Sequence, residues 1–299
     1  MLYVFPLLCY AALRCASFYF AFFYRTISFT PHCSVKVYVN KLTSLQSLFP
    51  LSPYHVPLCR PTTGVKGTRQ NLGQHLTGDE IRSSPYQLVF GHDVQCQHLC
   101  VAHLGHEDDM DQSDNHMVSA IRQGHHQNWL LDGLPAAFRS ENDEYILTQY
   151  AGGFPLGFVD KHDGEAYVYN HINLEIEYHP VHANDGDDEE LQAIDQHEQY
   201  RIVRFTVQPF SVRHKFRDWK DDEVMDESHD EENQQLVHMT HPIPSCQPHA
   251  AAHTLYGDIH SAQPQPAEGK VLFTYDVIWK PNMQVHWGDR WEIYLSADG

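Results

Sequence analysis

Apolar and polar residues alternate along several segments of this chain, which is the pattern of β-strands that bury one face. Val35, Val37 and Val39 lie on the same side of the first such segment. The period of two returns in four later runs, at 172–178, 203–207, 271–279 and 291–295. Because turn-rich connections separate these runs, we predict a mainly β fold in which antiparallel sheets pack as a sandwich.

One segment has a helical period instead. Four large side chains recur there three or four residues apart: Val118, Ile121, His125 and Trp129. This spacing predicts a helix over 114–131, which Pro135 would end. The glycine-rich run at 152–158 is interrupted by apolar residues, and no helical pattern follows it. We therefore interpret that run as a tight turn between strands and not as a phosphate-binding loop.

Long polar stretches connect the predicted strands. The stretches 105–115, 183–199 and 213–269 predict exposed loops, and the last is long enough that we expect part of it to be disordered. Its acidic run at 221–232 lacks the glycine and the spaced ligands of a calcium-binding loop. We interpret this run as a solvated loop.

The N-terminal 24 residues are apolar except at Pro6, Arg14 and Ser17. They predict a secretory signal over 1–17, with small residues at Cys15 and Ser17 before the cleavage site. An uncleaved membrane anchor is the alternative, since 24 residues can span a bilayer, although Arg14 inside that span counts against it. Residues 18–33 have no assignment, and 34–299 form the predicted domain.

The chain is strongly acidic, with 39 Asp and Glu against 20 Lys and Arg and a net charge of −19. This balance excludes a nucleic-acid-binding protein and a polybasic membrane-surface protein. The 23 histidines change the picture in acid. With an unperturbed pKa of about 6.5, roughly three quarters of them would be protonated at pH 6. A surface that loses its negative charge in an acidic compartment and mere compositional drift remain alternative interpretations of that histidine content.

Motifs for enzyme chemistry are missing from the sequence. Histidine pairs with two residues between them occur three times, about as often as chance predicts at this histidine frequency, and no HExxH motif accompanies them. Neither a GxSxG motif nor a Cys/His signature of a nucleophilic enzyme is present. We predict no catalytic residue, no cofactor and no metal site. A metal-dependent enzyme remains the least favoured alternative.

Five cysteines remain beyond the predicted signal: Cys33, Cys59, Cys96, Cys100 and Cys246. Their presence agrees with an oxidising lumen, where cysteines most often form structural disulfides. Because five is an odd number, the sequence does not settle which of them pair.

Collinear motifs along most of the chain resemble one known family. They lie at 39–44, 56–61, 71–73, 84–86, 96–100, 134–137, 156–158, 200–203, 273–277, 279, 287, 290–291 and 294–295. The resemblance is to the lumenal N-terminal region of the nonaspanins, the transmembrane 9 superfamily. Gly133 stands where the family has Asn, and residues 20–33 match no family pattern. In this resemblance the chain ends at Gly299, shortly before the first of nine transmembrane helices would start.

The resemblance implies a non-enzymatic role in sorting and localising membrane proteins in endosomes and the Golgi. Its partners would be client membrane proteins, recognised by the transmembrane helices beyond this chain. It also implies a disulfide set made of Cys59, Cys96, Cys100 and Cys246, with three pairings open. A secreted β-sandwich that binds a carbohydrate or another lumenal ligand is the alternative from a different class.

Three residues of the last family motif are candidates for an interaction role: Trp287, Arg290 and Trp291. In one interpretation they form a cation–π ladder that docks the domain onto its own membrane helices. In the other they are strand residues that complete the core. The pair Asn170 and His171 is interpreted as turn and strand packing and not as a ligand site.

Overall fold

Strands dominate the part of the chain that this computed structural model describes, which comprises residues 33–68, 70–105, 116–141, 146–150, 152–181, 199–214 and 263–296. The predicted signal at 1–17, the segment 18–32, Cys246 and all but the edges of the three predicted loops lie outside the described residues.

The described strands are, in chain order, β1 (Ser34–Thr43), β2 (Arg82–Val89), β3 (Val94–His103), β4 (His126–Leu131), β5 (Leu134–Pro135), β6 (Ala137–Glu141), β7 (Ile146–Gln149), β8 (Phe154–Pro155), β9 (Gly157–Val159), β10 (Ala166–Val168), β11 (His171–Val181), β12 (Gln199–Phe210) and β13 (Lys270–Pro281). The described helices are α1 (Leu72–Leu76), α2 (His116–Arg122), a 3-10 helix (Trp287–Asp289) and α3 (Glu292–Ser296).

These strands form two main sheets and a small hairpin. The first sheet has the order β2-β1-β4-β5, with β8 paired to the start of β4. The second has the order β3-β13-β11-β12-β6-β7, and the hairpin joins β9 to β10. Within the described strands, β11 with β13 and β12 with β6 run parallel, while the other pairs are antiparallel. The predicted mainly β fold class is confirmed.

The two main sheets pack face to face around one apolar core. Tyr86 of β2 lies 5.1 Å, between ring centroids, from Tyr275 of β13, and 4.6 Å from Trp129 of β4. Phe90, just after β2, lies 4.8 Å from Trp279 at the far end of β13. The predicted strand runs at 35–39, 172–178, 203–207 and 271–279 all supply this core and are confirmed as β1, β11, β12 and β13.

The predicted helix over 114–131 is wrong in its second half. Helix α2 ends at Arg122, and His126–Leu131 forms strand β4 in the middle of the first sheet. Gly124 ends the helix with φ +64°, while the N–H groups of Gly124 and His125 donate to the carbonyls of Ile121 and Ala120. These two hydrogen bonds to the last turn form the glycine-capped helix end known as a Schellman motif. Beyond it, the side chains of β4 alternate between buried and half-buried positions.

The predicted strand at 291–295 is also wrong, because these residues belong mostly to α3. Trp291 and Leu295 share the exposed face of this short helix, whereas Tyr294 packs against the core. A period of two over five residues does not distinguish a strand from a single helical turn. Here the contacts of Arg290 with Asp132 and of Tyr294 with Pro135 accompany the helical turn.

The glycine run at 152–158 contains the short strand β8 and the start of β9. Two of its glycines allow neighbouring backbone segments to lie close to this run. A Cβ atom at Gly153 would lie 2.2 Å from the carbonyl oxygen of Gln127, and one at Gly157 would lie 2.0 Å from that of Tyr167. Any larger residue at either position would push neighbouring strands apart.

Candidate functional site

The turn between β4 and β5 forms one half of the candidate site. Asp132 and Gly133 make this two-residue turn with φ +48° and +79°. Both central residues of a type I′ hairpin turn have positive φ, and Asp-Gly is one of the sequences that favour it. The turn places the Asp132 carboxylate in a buried position at the end of the first sheet.

Arg290 supplies the other half of the site. Its Nη1 donates to Asp132 Oδ2 at 2.8 Å and to the carbonyl oxygen of Ile202 in β12 at 3.1 Å. Its guanidinium carbon lies 4.6 Å from the ring centroid of Trp287, within the range of a cation–π contact. This guanidinium therefore joins the first sheet, the second sheet and the C-terminal segment. We call the group Asp132, Trp287 and Arg290 the clamp.

The clamp is an almost fully buried ion pair, since the side chains of Arg290 and Asp132 are 8% and 6% exposed. Burial raises the pKa of Asp132, although the guanidinium of Arg290 lowers it in part. Removing charges from water is costly, and the attraction between them offsets that cost only when the geometry is good. We therefore interpret the pair as a positional device more than as a source of net stability.

Helix α3 continues directly from the clamp. The Tyr294 hydroxyl donates to the carbonyl oxygen of Pro135 at 2.9 Å, and burial raises its pKa to about 12. On the opposite face Trp291 is 42% exposed and Leu295 is 76% exposed. Of the three predicted interaction residues, Trp287 and Arg290 are thus joined in the clamp, while Trp291 lies outside it and contacts Tyr294.

Three cysteines of the predicted set lie among the described residues, and Cys246 lies outside them. A disulfide joins Cys59, in the loop before α1, to Cys100 in β3. Cys96 is disulfide-bonded as well, and its N–H donates to Asp276 of β13. Cys33 is buried at the start of β1.

A second buried polar group was missed by sequence reasoning. The Thr274 hydroxyl lies 2.7 Å from His171 Nδ1 and 3.1 Å from His214 Nε2, and all three residues are buried. Nearby, the Asn170 amide donates to the carbonyls of Val212 and Leu272. Thr274 and Asp276 alternate with apolar residues along β13, which indicates that they lie on the opposite face of the strand. The sequence does not indicate which residues pack against that face.

Two kinds of functional feature are absent from the described ranges. These ranges contain no set of three or more His, Cys, Asp or Glu side chains that could hold a metal ion. Nor does any helix within them have the length and apolar character needed to cross a membrane.

Comparison with known proteins places the chain in a family. The sequence model of the family described as Endomembrane protein 70 matches residues 50–299. The chain is 31% identical over 267 residues to transmembrane 9 superfamily member 3 of Saccharomyces cerevisiae, covering 88% of this chain and 31% of the relative. It is 28% identical over 271 residues to member 10 of Arabidopsis thaliana (88% and 36%) and 26% identical over 279 residues to human member 4 (90% and 38%).

No solved structure matches the chain. The chain spans about a third of the length of these curated relatives. The matched region covers β2 to α3 and includes the whole clamp. The resemblance seen in the sequence is therefore confirmed, and the chain belongs to the Endomembrane protein 70 family of transmembrane 9 superfamily proteins.

Proposed function

We propose that this chain is the lumenal, non-enzymatic module of a membrane protein that sorts and localises other membrane proteins in the endosome and Golgi system. Family membership supports the membrane and endomembrane part of this proposal. The clamp supports a domain that is attached rigidly at its C-terminal end. It fixes the C-terminal segment of the domain against both sheets by a buried, charged contact.

Rigid attachment at this point has a mechanical use. Helix α3 carries the last described residues of the chain, and the clamp lies immediately before it. If membrane helices follow, the clamp sets the orientation of the sandwich relative to the bilayer. The exposed Trp291 and Leu295 then lie where an aromatic and an apolar side chain suit the boundary between water and lipid.

Reading the transcript through the codon for Gly299 is the first test of this proposal. We expect the open frame to continue into apolar segments of about 20 residues each, the length that spans a bilayer. A stop codon at that point would contradict the membrane-anchored form. It would favour the secreted, ligand-binding sandwich instead.

Localisation and topology provide the second test. We expect an epitope inserted in the predicted loop at 213–269 to co-fractionate with Golgi and endosome membranes, and to resist protease until the vesicles are permeabilised. Recovery of the tagged protein in the medium, or its digestion in intact vesicles, would contradict the proposal.

The sorting role itself requires a depletion experiment. We expect depletion to mislocalise a defined set of membrane proteins, measured by surface and Golgi proteomics. The wild-type protein should restore them, whereas an Arg290→Met variant of equal abundance should not. Restoration by that variant would show that the clamp has no part in sorting.

A further inference from the structure

The buried group around Thr274 combines two histidines with one hydroxyl. Thr274 Oγ1 lies within hydrogen-bond distance of His171 Nδ1 in β11 and of His214 Nε2, four residues beyond β12. A hydroxyl donates one proton and accepts through two lone pairs, so at most one of the two imidazoles accepts from it.

The direction of this chain of hydrogen bonds follows from Asp276. Its Oδ2 lies 3.4 Å from His171 Nε2, so the carboxylate favours the tautomer with the proton on that nitrogen. His171 Nδ1 then accepts from Thr274, and His214 Nε2 donates to Thr274. The His214 imidazole is neutral in this arrangement.

The surroundings of His214 oppose a positive charge. Burial, with smaller contributions from the neighbouring His171 and His98, lowers the pKa of His214 to about 3. Burial also lowers the pKa of His98 in β3. Among the described residues, the carboxylate at this site faces His171 and also accepts the N–H of Cys96.

His214 ends a short extension of β12, residues 211–214. The Asn170 amide donates to the carbonyl oxygen of Val212 at 2.9 Å, and the Gln265 N–H donates to Ser211 Oγ at 2.8 Å. The Val212 N–H donates to Asn170 Oδ1 at 2.8 Å, and the Arg213 N–H donates to the carbonyl of Gln263 at 2.8 Å. Val212 and His214 are buried, whereas Arg213 is exposed. These hydrogen bonds lie outside the ladder of β12 with β11, which ends at Phe210, so opening the extension leaves that ladder intact.

We propose that the extension 211–214 is a proton-released latch, closed at neutral pH by docking neutral His214 on Thr274 and opened in a mildly acidic lumen. In the open state the imidazole reaches water and takes up a proton with its ordinary affinity. The closed state excludes that proton. Acid therefore favours the open state below the ordinary pKa of about 6.5, and the closed state prevails above it.

The size of the effect follows from this linkage. With an open-state pKa of about 6.5, the ratio of open to closed molecules rises about 25-fold between pH 7.2 and pH 5.0. A latch with this response exposes residues 211–214 in acidic compartments and keeps them docked in neutral ones. The inference concerns the folded domain alone and does not depend on the proposed sorting role.

Hydrogen exchange tests the latch in the purified chain with its disulfides intact. The readout is the protection factor, corrected for the intrinsic exchange rate, of the Val212 and Arg213 amides at pH 7.2 and pH 5.0. We expect protection at both amides to fall about 25-fold in acid, while the central amides of β11 keep theirs. Unchanged protection in the wild-type chain would overturn the proposal.

Two variants separate the latch from a general effect of acid. His214→Gln should remove most of the pH dependence at both amides, whereas His162→Gln, at an exposed position, should keep it. An equal fall of protection in the His214→Gln variant would overturn the proposal. If His214→Gln does not fold, the wild-type measurement and the His162→Gln control still decide.

Discussion

Two buried polar sites lie at opposite ends of β12 and are built on opposite principles. The clamp holds the start of the strand through the Ile202 carbonyl, with a full positive charge against a full negative one. The latch lies beyond the end of the strand, where His214 and His171 share one hydroxyl and burial keeps His214 neutral. The first site tolerates mild acid, and the second is sensitive to it.

The reason for the difference is the ordinary pKa of the groups. Arginine side chains stay protonated at any physiological pH. The pKa of Asp132 is raised, mainly by burial, so the folded state binds a proton there more readily than the unfolded state and acidification costs no folding free energy through this group. Histidine titrates between pH 5 and 8, so the latch responds in that range. The molecule thus combines a permanent contact on the α3 side with a conditional one on the loop side.

Breaking the clamp should have the largest effect on stability. Arg290→Met leaves the Asp132 carboxylate buried without its partner, and we expect a loss of about 3–5 kcal/mol of unfolding free energy. Urea unfolding followed by fluorescence measures it.

Arg122→Met is the matched control, because Arg122 is exposed at the end of α2. It should change stability by no more than about 0.5 kcal/mol. If both variants lose the same amount, the clamp is no more than an ordinary surface contact.

Removing the hydroxyl of the latch should come next. Thr274→Val keeps the shape of the side chain but deprives both histidines of their shared partner, which should cost about 1–3 kcal/mol. Thr274→Ser retains the hydroxyl and serves as the control in the same denaturant series. A Val variant as stable as the Ser variant would contradict the role given to the hydroxyl.

The pH dependence sharpens the comparison between the two sites. Between pH 7.2 and 5.2, unfolding exposes His214 to its ordinary protonation, so the wild type should lose about 2 kcal/mol more than a His214→Gln variant. The loss should begin as the pH falls through about 6.5. Denaturant titrations at several pH values give the difference directly.

The Arg290→Met variant supplies the contrast. Its stability curve should lie below that of the wild type, and the gap should narrow in acid, because the pKa of a carboxylate left buried without Arg290 rises further and its protonation relieves the buried charge. A gap of constant size over this range would contradict the unpaired, buried Asp132 carboxylate that this variant is expected to create.

The smallest effect on stability is expected at the exposed face of α3. Replacing Trp291 and Leu295 together by Ser should lower the unfolding free energy by no more than about 1 kcal/mol, because Leu295 is mostly exposed and Trp291 packs only partly, against Tyr294. The same variant should weaken association with phosphatidylcholine vesicles, measured by co-sedimentation. Val159→Ser, also at an exposed apolar position, is the control. Equal binding by wild type and variant would remove the support that this face gives to membrane contact.

Much of the fold followed from local pattern. The alternation at 35–39 and 271–279 identified β1 and β13 because each buries one row of side chains in the core. The same argument failed in two places. At 114–131 a glycine that caps the helix ends it early, and at 291–295 the contacts of the buried Arg290 favour a helical turn over a strand. Of the candidate site residues, Trp287 and Arg290 were found through the family motif alone. Neither Asp132 as their partner nor the group around Thr274 was found.

The sequence by itself determined the β class, the acidic charge and the family, since each depends on residue types and on spacings of a few positions. Only the tertiary structure decided which polar groups meet. Asp132 and Arg290 are 158 residues apart in the chain, and His171 and Thr274 are 103 apart. They meet because β13 inserts between β3 and β11, and because the C-terminal segment returns to the β4–β5 turn. Such contacts depend on sheet order, which no local period encodes.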